Sequence, residues 1–358
     1  MKAVGYLTPQ AIEHSDSLID IDIAKPNATG RDLLVKVRAV SVNPVDIKIR
    51  LSASADNNQH KVLGWDAVGE VVAVGEDVQY YNLGDQVYYA GDLTRSGSNA
   101  EYQLVDERIV GNKPKTLTDS EAAALPLTAI TAWELLFTRL DFIPLLNKSN
   151  KLDASNAALK STSKNGDDAP SRILIVGAAG GVGSILTQLA ATLTNAVVIG
   201  TASRPESERW VKELGADHVI NHHQPLQPQL SKIGIDDITH VISLNRTGDH
   251  YDQLVELIAP QGKLALIDDP QNGLDIMKLK RKSISLHWEF MFTRAMFKTQ
   301  DMYKQRELLN SLADLIDRGL LKTTLGEHYG KINAENLKRA HSHIESNAAI
   351  GKIVLEGF

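Results

Sequence analysis

The chain contains no cysteine. That absence excludes disulfides, thiolate nucleophiles, iron–sulfur clusters and every cysteine-ligated zinc site. A basic excess is missing too: 38 Lys and Arg stand against 44 Asp and Glu, a formal net charge of −6. Binding nucleic acid requires cations turned toward phosphates, so no nucleic-acid partner is expected. No apolar run approaches the ~20 residues of a membrane helix. The opening MKAVGYLTPQ lacks the basic, apolar and small-residue succession of a secretory signal. The expectation is a soluble, cytoplasmic protein with no membrane partner.

What is present fits a globular enzyme. At 358 residues the chain exceeds what one hydrophobic core usually serves, so two domains are expected. Up to about residue 125 it reads as short strands such as Leu33–Val42, Val68–Val74 and Gln86–Tyr89, punctuated by Gly64, Gly75 and Gly84-Asp85. This pattern predicts a β-rich domain, a partly open barrel. Ser120 to Leu140 turns Ala- and Leu-rich with helical spacing, broken at Pro126. Asn147 to Pro170 is rich in Ser, Asn, Lys and Asp and predicts an exposed loop.

From Ser171 strands and helices alternate, beginning with the continuous apolar run Ile173–Val176. The alternation predicts a doubly wound parallel sheet. Helices near Lys304–Arg318 and Ala334–Glu345 follow, then a last strand, Ile350–Leu355, expected to rejoin the first domain.

ILIVGAAGGVGSILTQL, from Ile173 to Leu189, is a buried strand, a glycine turn and an amphipathic helix. Ala178, Gly180 and Gly183 occupy the three small-residue positions of a dinucleotide fingerprint. They serve a tight turn, close approach to a pyrophosphate, and helix-on-strand packing. Gly181 and Val182 open the helix, whose free N–H groups suit a diphosphate. An NAD site places a carboxylate about 20 residues further on. Here Ser203 and Arg204 stand at that place, in GTASRPES. A hydroxyl and a guanidinium can bind a 2′-phosphate that a carboxylate would repel, so NADPH is the expected cofactor. The alternative is that Arg204 is solvated and Glu206 or Glu208 folds back on the ribose.

SVNPVDIKIR at Ser41–Arg50, VLGWDAVGEVVAVGEDV at Val62–Val78, GDQV at Gly84–Val87, PLTAITAWE at Pro126–Glu134, GAAGGVGS, GTASRPE, LGADHVINH at Leu214–His222 and the closing GKIVL carry a family resemblance. The chain resembles the medium-chain dehydrogenase/reductase superfamily, in particular its quinone oxidoreductase branch and the zinc-type alcohol dehydrogenase-like group. The resemblance implies a Rossmann domain at 127–295, a discontinuous GroES-like β-barrel catalytic domain at 1–126 and 296–358, an active site between them, and a homodimer. It places Thr128 and Thr131 near the nicotinamide and diphosphate, and His222 near the 2′-phosphate. Leu244, Asn245 and Ile267 lie at the carboxyl ends of strands, where Rossmann ligands bind.

The chain departs from zinc-dependent relatives. They carry Cys where Asn43 stands and His where Trp65 stands, and neither an amide nor an indole replaces those ligands. His222-His223 are adjacent, and His341 and His343 are two apart on a helix, so neither pair can face one ion. His218, His287 and His328 have no spaced partner carboxylate, and no metal is expected. Without a Lewis acid, reduction of a conjugated carbonyl is easier than alcohol oxidation, because the protein need only orient the reactants and donate to the oxygen that becomes negative. Asn43 and Lys48 are the candidate catalytic donors, and Asp46 is a loop-bracing acceptor. WEFMF at Trp288–Phe292 is the candidate apolar wall. The expected function is zinc-independent, NADPH-dependent reduction of a small electrophile, a quinone or an α,β-unsaturated carbonyl. The alternatives are an alcohol or aldehyde dehydrogenase with an unconventional metal site, and an NADPH-binding protein with little turnover.

Overall fold

Asp32–Val42, eleven residues long, organises the amino-terminal sheet. Its first half pairs with Tyr102–Asp106, its second half with Lys352–Glu356, and its other edge with Asp66–Val74, all antiparallel. Register shifts at Leu34/Val35 and Val37/Ala39 interrupt its pairing with Asp66–Val74 and bend the strand. These coordinates are a computed structural model, which describes residues 1–55, 59–146 and 170–358. All but the last residue of the 147–170 segment therefore falls outside the described residues.

The chain divides into two compact units, Met1–Ile130 with Met291–Phe358, and Thr131–Phe290. The first holds a seven-stranded sheet and a three-stranded one formed by Ile19–Asp22, Lys2–Tyr6 and Lys61–Val62. The closing strand Lys352–Glu356 belongs to the seven-stranded sheet, and Lys304–Asp317 packs its apolar face onto Val110–Asn112.

The second unit is a six-stranded, wholly parallel sheet. Its order is His218–Ile220, Val197–Thr201, Arg172–Val176, Ile238–Ser243, Ile258–Leu266, Ser285–Trp288. This is the doubly wound order 3-2-1-4-5-6. Leu174, Ile199, Val241 and Leu264 form its core with Leu226, Leu230 and Leu254 from the covering helices.

The helix expected over Ser120–Leu140 is a short helix at Asp119–Ala123, a second at Pro126–Glu134 and a π turn at Leu135–Arg139. Pro126 begins the second helix, where a missing N–H costs nothing. Helix Thr247–Leu257 starts where Asp268, remote in sequence, accepts the Thr247 N–H at 2.9 Å. Helix Leu226–Lys232 and edge strand Ser285–Trp288 had no legible signal: the helix contains Pro228, and SLHW is short and half polar.

Candidate active site

Three strand ends of the first unit converge on a buried polar network. Ser41 and Asp66 are register partners where their strands meet, and Lys352 opens the closing strand beside Val42. The Asp66 carboxylate accepts from Ser41 Oγ at 2.6 Å, Asn43 Nδ2 at 2.7 Å and the Leu127 N–H at 2.7 Å. Lys352 Nζ lies 3.3 Å from Asp66 Oδ2 and donates to the Val42 carbonyl at 2.9 Å and to Asn43 Oδ1. Asn43, Asp46, Asp66 and Lys352 are all at most 4% exposed.

Asn43 is the residue before helix Pro44–Ser52, yet its side chain caps nothing in that helix. Its oxygen is held by an ammonium and one of its two amide protons by a carboxylate, which fixes the carboxamide's orientation. Asp46 braces the loop instead, accepting the Asn43 N–H at 2.6 Å. Burial pushes the Asp46 carboxyl up to about 7, against the opposing pull of that hydrogen bond and of Lys352. Burial likewise lowers the Lys352 ammonium, despite Asp66 and Asp46. Lys48 is exposed. Two positions past the buried Asp46, it lies about 200° round the helix from it.

Trp65 is 1% exposed, its Nε1 donating to the Asp92 carbonyl at 3.2 Å and its ring edge-on to Phe292 at 6.2 Å. The segment read as one apolar wall is divided: Met291 and Phe292 are buried, Glu289 is buried against Arg139, and Trp288 and Phe290 are exposed.

In the second unit, Gly177 turns the chain at φ +83° after strand Arg172–Val176 and donates its N–H to Thr201 Oγ1 at 3.0 Å. Helix Gly181–Leu193 follows, with no side-chain cap at Gly180 and no acidic residue in its first turn. A Cβ on Gly183 would stand 2.3 Å from the Gly177 carbonyl oxygen, so helix and turn touch there. Above Gly180 the space is open. Its added Cβ would meet nothing nearer than 3.6 Å. A cradle of uncapped N–H groups with room above it fits a dinucleotide's diphosphate.

The other nucleotide candidates lie on several elements of the two units. Ala178 is buried, and Asn245, past the end of Ile238–Ser243, lies against Gly177. Leu244 is buried and Ile267 half-buried at the ends of their strands. Thr128 and Thr131 are buried and three apart on one helix, with the Thr128 hydroxyl donating to the Leu125 carbonyl at 3.0 Å. Ser203 and Arg204 are half-buried before helix Pro205–Glu213. Arg204 stands 3.4 Å from Glu206, whereas Glu208 is engaged with Lys212. His222 Nδ1 lies 3.2 Å from Thr201 Oγ1.

Two family models match the chain, an alcohol dehydrogenase GroES-like domain over residues 29–115 and a zinc-binding dehydrogenase domain over residues 214–355. A zinc-type alcohol dehydrogenase-like protein of Staphylococcus aureus is 37% identical over 99% of both chains. The chain belongs to the medium-chain dehydrogenase/reductase superfamily. Within it, the chain is an oxidoreductase of the zinc-type alcohol dehydrogenase-like group. A crystal structure of a Rhizobium etli CFN 42 protein that carries a zinc-dependent alcohol dehydrogenase name is 51% identical, with TM-score 0.91, covering 100% of this chain and 98% of that one. The 2-methylene-furan-3-one reductase of Solanum lycopersicum is 28% identical over 94% of this chain and 74% of its own.

The zinc in those names does not fit the donor set of this superfamily member. The Asn43 oxygen is occupied by an ammonium, and the Trp65 nitrogen is a donor bound to a carbonyl. Among the described residues no group of three or more His, Cys, Asp or Glu could hold an ion. No described helix is long and apolar enough to cross a membrane. Sequence reasoning missed the part played by Lys352 and Asp66, although both lie in motifs of the resemblance. The signal that was available is a lysine directly before the apolar run Ile353–Leu355.

Proposed function

We propose that the chain is an NADPH-dependent reductase of α,β-unsaturated carbonyls or quinones that works without zinc. The observation that carries this reading is the Asn43 carboxamide, clamped between Lys352 and Asp66 where zinc relatives place a thiolate. A clamped amide retains a second N–H whose direction is set before substrate arrives. Such a preorganised donor stabilises charge developing on a carbonyl oxygen without reorganisation. A reduced nicotinamide, when bound, supplies the hydride.

The chain's own residues do the rest in this reading. The N–H groups at Gly181 and Val182 bind the diphosphate, while Asn245 and Thr201 shape the turn beneath it. Ser203, Arg204 and His222 favour the phosphorylated ribose. The Arg204–Glu206 pair is half exposed, worth about 0–1 kcal/mol, a small cost for a guanidinium that turns to a phosphate. The name of the Solanum lycopersicum relative, an enone reductase, supports the substrate class. A cytoplasmic homodimer with a small electrophile as its partner belongs to the same reading.

The test is NADPH consumption with 9,10-phenanthrenequinone and with a short enone, alongside zinc analysis of the purified protein. Turnover of either substrate by zinc-free protein is expected. Stoichiometric zinc whose removal abolishes turnover overturns the reading.

A further inference from the structure

His222, His223 and His250 come together at the rim of the parallel sheet. The ring centroids of His222 and His223 are 4.6 Å apart, and those of His222 and His250 are 6.0 Å apart. They reach this rim from different elements. His222 and His223 follow strand His218–Ile220, and His250 lies in the first turn of helix Thr247–Leu257. Arg246, before that helix and held at φ +50°, adds a permanent positive charge. Thr201, which His222 approaches, ends the neighbouring strand two residues before Ser203, at the carboxyl ends where ligands of this sheet order bind.

The hydrogen bonds define how His222 is set. Thr201 Oγ1 already accepts the Gly177 N–H, so its own proton is available to His222 Nδ1. With the hydroxyl proton on Nδ1, the neutral imidazole carries its own on Nε2. The groups that face His222 are His223 from its own loop and His250 and Arg246 from the neighbouring helix. Of the carboxylates on that helix, Asp249 acts on His250; it is exposed and paired with Arg246 at 2.8 Å. On the Ser203 side, Arg204 pairs with Glu206. Burial and its cationic neighbours push the His222 imidazole down to about 4, and His250 is lowered for the same first reason. The free protein thus disfavours charging His222 and His250, which sit beside the permanent charge of Arg246.

We infer that His222, His223 and His250, with Arg246, form a proton-linked recognition cluster for a nucleoside 2′-phosphate, so that binding the phosphorylated cofactor takes up protons and its preference over the unphosphorylated one grows as pH falls. This rests on the NADPH reading above and adds a regulation to it. A dianionic phosphate among three imidazoles favours their charged forms, whereas a bare 2′-hydroxyl does not. The cluster converts pH into cofactor selectivity.

The test is calorimetry of NADPH and NADH binding at about pH 6.5 and about pH 8, in buffers of different ionisation enthalpy; each full proton taken up is worth up to about tenfold in Kd per pH unit. The expected result is net proton uptake with NADPH only, and an NADH-to-NADPH Kd ratio about three- to tenfold larger at the lower pH. In the His223→Asn/His250→Asn variant the uptake and the pH dependence of the ratio should shrink together, which also separates the protein's protons from those of the phosphate. NADPH binding that is far tighter than NADH binding but proton-neutral, with a ratio flat in pH, overturns the cluster and leaves the NADPH reading standing. Equal affinity for both cofactors at both pH values overturns the NADPH reading, and the cluster with it.

Discussion

Lys352 donates to the carboxamide oxygen of Asn43, so the last strand of the chain fixes the side chain that precedes its first long helix. The same ammonium is the near counter-charge of Asp66. Lys352→Met should therefore leave a buried carboxylate uncompensated, and breaking one side of a buried pair costs about 3–5 kcal/mol. Urea unfolding of Lys352→Met and of Lys352→Met/Asp66→Asn checks this: the double variant should recover a substantial part of the loss. A single variant as stable as the wild type would show that the pair carries no weight.

Asp46 makes a prediction of opposite sense to most carboxylates. Its carboxyl is raised from 3.8 to about 7 by burial. Between those values the folded state holds a proton that the unfolded state has released, so this residue's contribution to stability falls as pH rises through the window. Asp46→Asn keeps an acceptor for the Asn43 N–H but removes the titration. The variant should match wild type near pH 4 and exceed it by a few kcal/mol, about 1.4 per pH unit of the shift, above the window. Chemical denaturation across pH measures this directly, and unaltered pH slopes in the variant would remove Asp46 from the account.

His341 acts in the other direction. It is fully buried, neither ring nitrogen has a hydrogen-bond partner among the described residues, and the nearby Arg50 adds to burial in lowering it from 6.5 to about 3. Between those values the unfolded state binds the proton and the folded state does not. Stability from this site is complete above 6.5 and is lost as pH falls toward 3. His341→Leu should blunt the acid unfolding of the protein, shifting its acid midpoint downward. An unchanged acid midpoint in thermal or fluorescence titration would be the contrary result.

How much of this was legible in the sequence divides along physical lines. The parallel strands were readable because both of their faces are buried, which makes Ile173–Val176 a continuous apolar run. The glycine turn was readable because its requirements are local: φ > 0 at Gly177 and no room for a Cβ at Gly183. Asn43 and Trp65 were visible as departures, but their partners were not. The Lys352 bond depends on the closing strand lying antiparallel beside Asp32–Val42, and His250 meets His222 only once helices after two different strands share a rim. The start of helix Thr247–Leu257 has the same origin, a cap lent by Asp268 from the following strand's end. Local propensity carries no record of such tertiary hydrogen bonds.

The two glycines of the turn should separate folding from cofactor binding. Gly183 has no space for a side chain, since an added Cβ would stand 2.3 Å from the Gly177 oxygen and 2.6 Å from Ala178 backbone atoms. Backbone cannot retreat as a flexible side chain can, so Gly183→Ala should push the helix off the strand and cost about 1–3 kcal/mol, as overpacking does. Gly180 begins the same helix but faces open space, its added Cβ meeting only the Gly177 oxygen at 3.6 Å. Its backbone is extended at φ −74°, a conformation alanine adopts freely. Gly180→Ala should keep the wild-type Tm while weakening dinucleotide binding by about tenfold or more, because the methyl group fills the cradle in which a diphosphate approaches the backbone. Thermal unfolding and cofactor fluorescence titration on the two variants give the comparison. A Gly180→Ala protein with undiminished affinity would mean that the diphosphate does not lie over this turn, and the assignment of the glycine motif to a dinucleotide would fall with it.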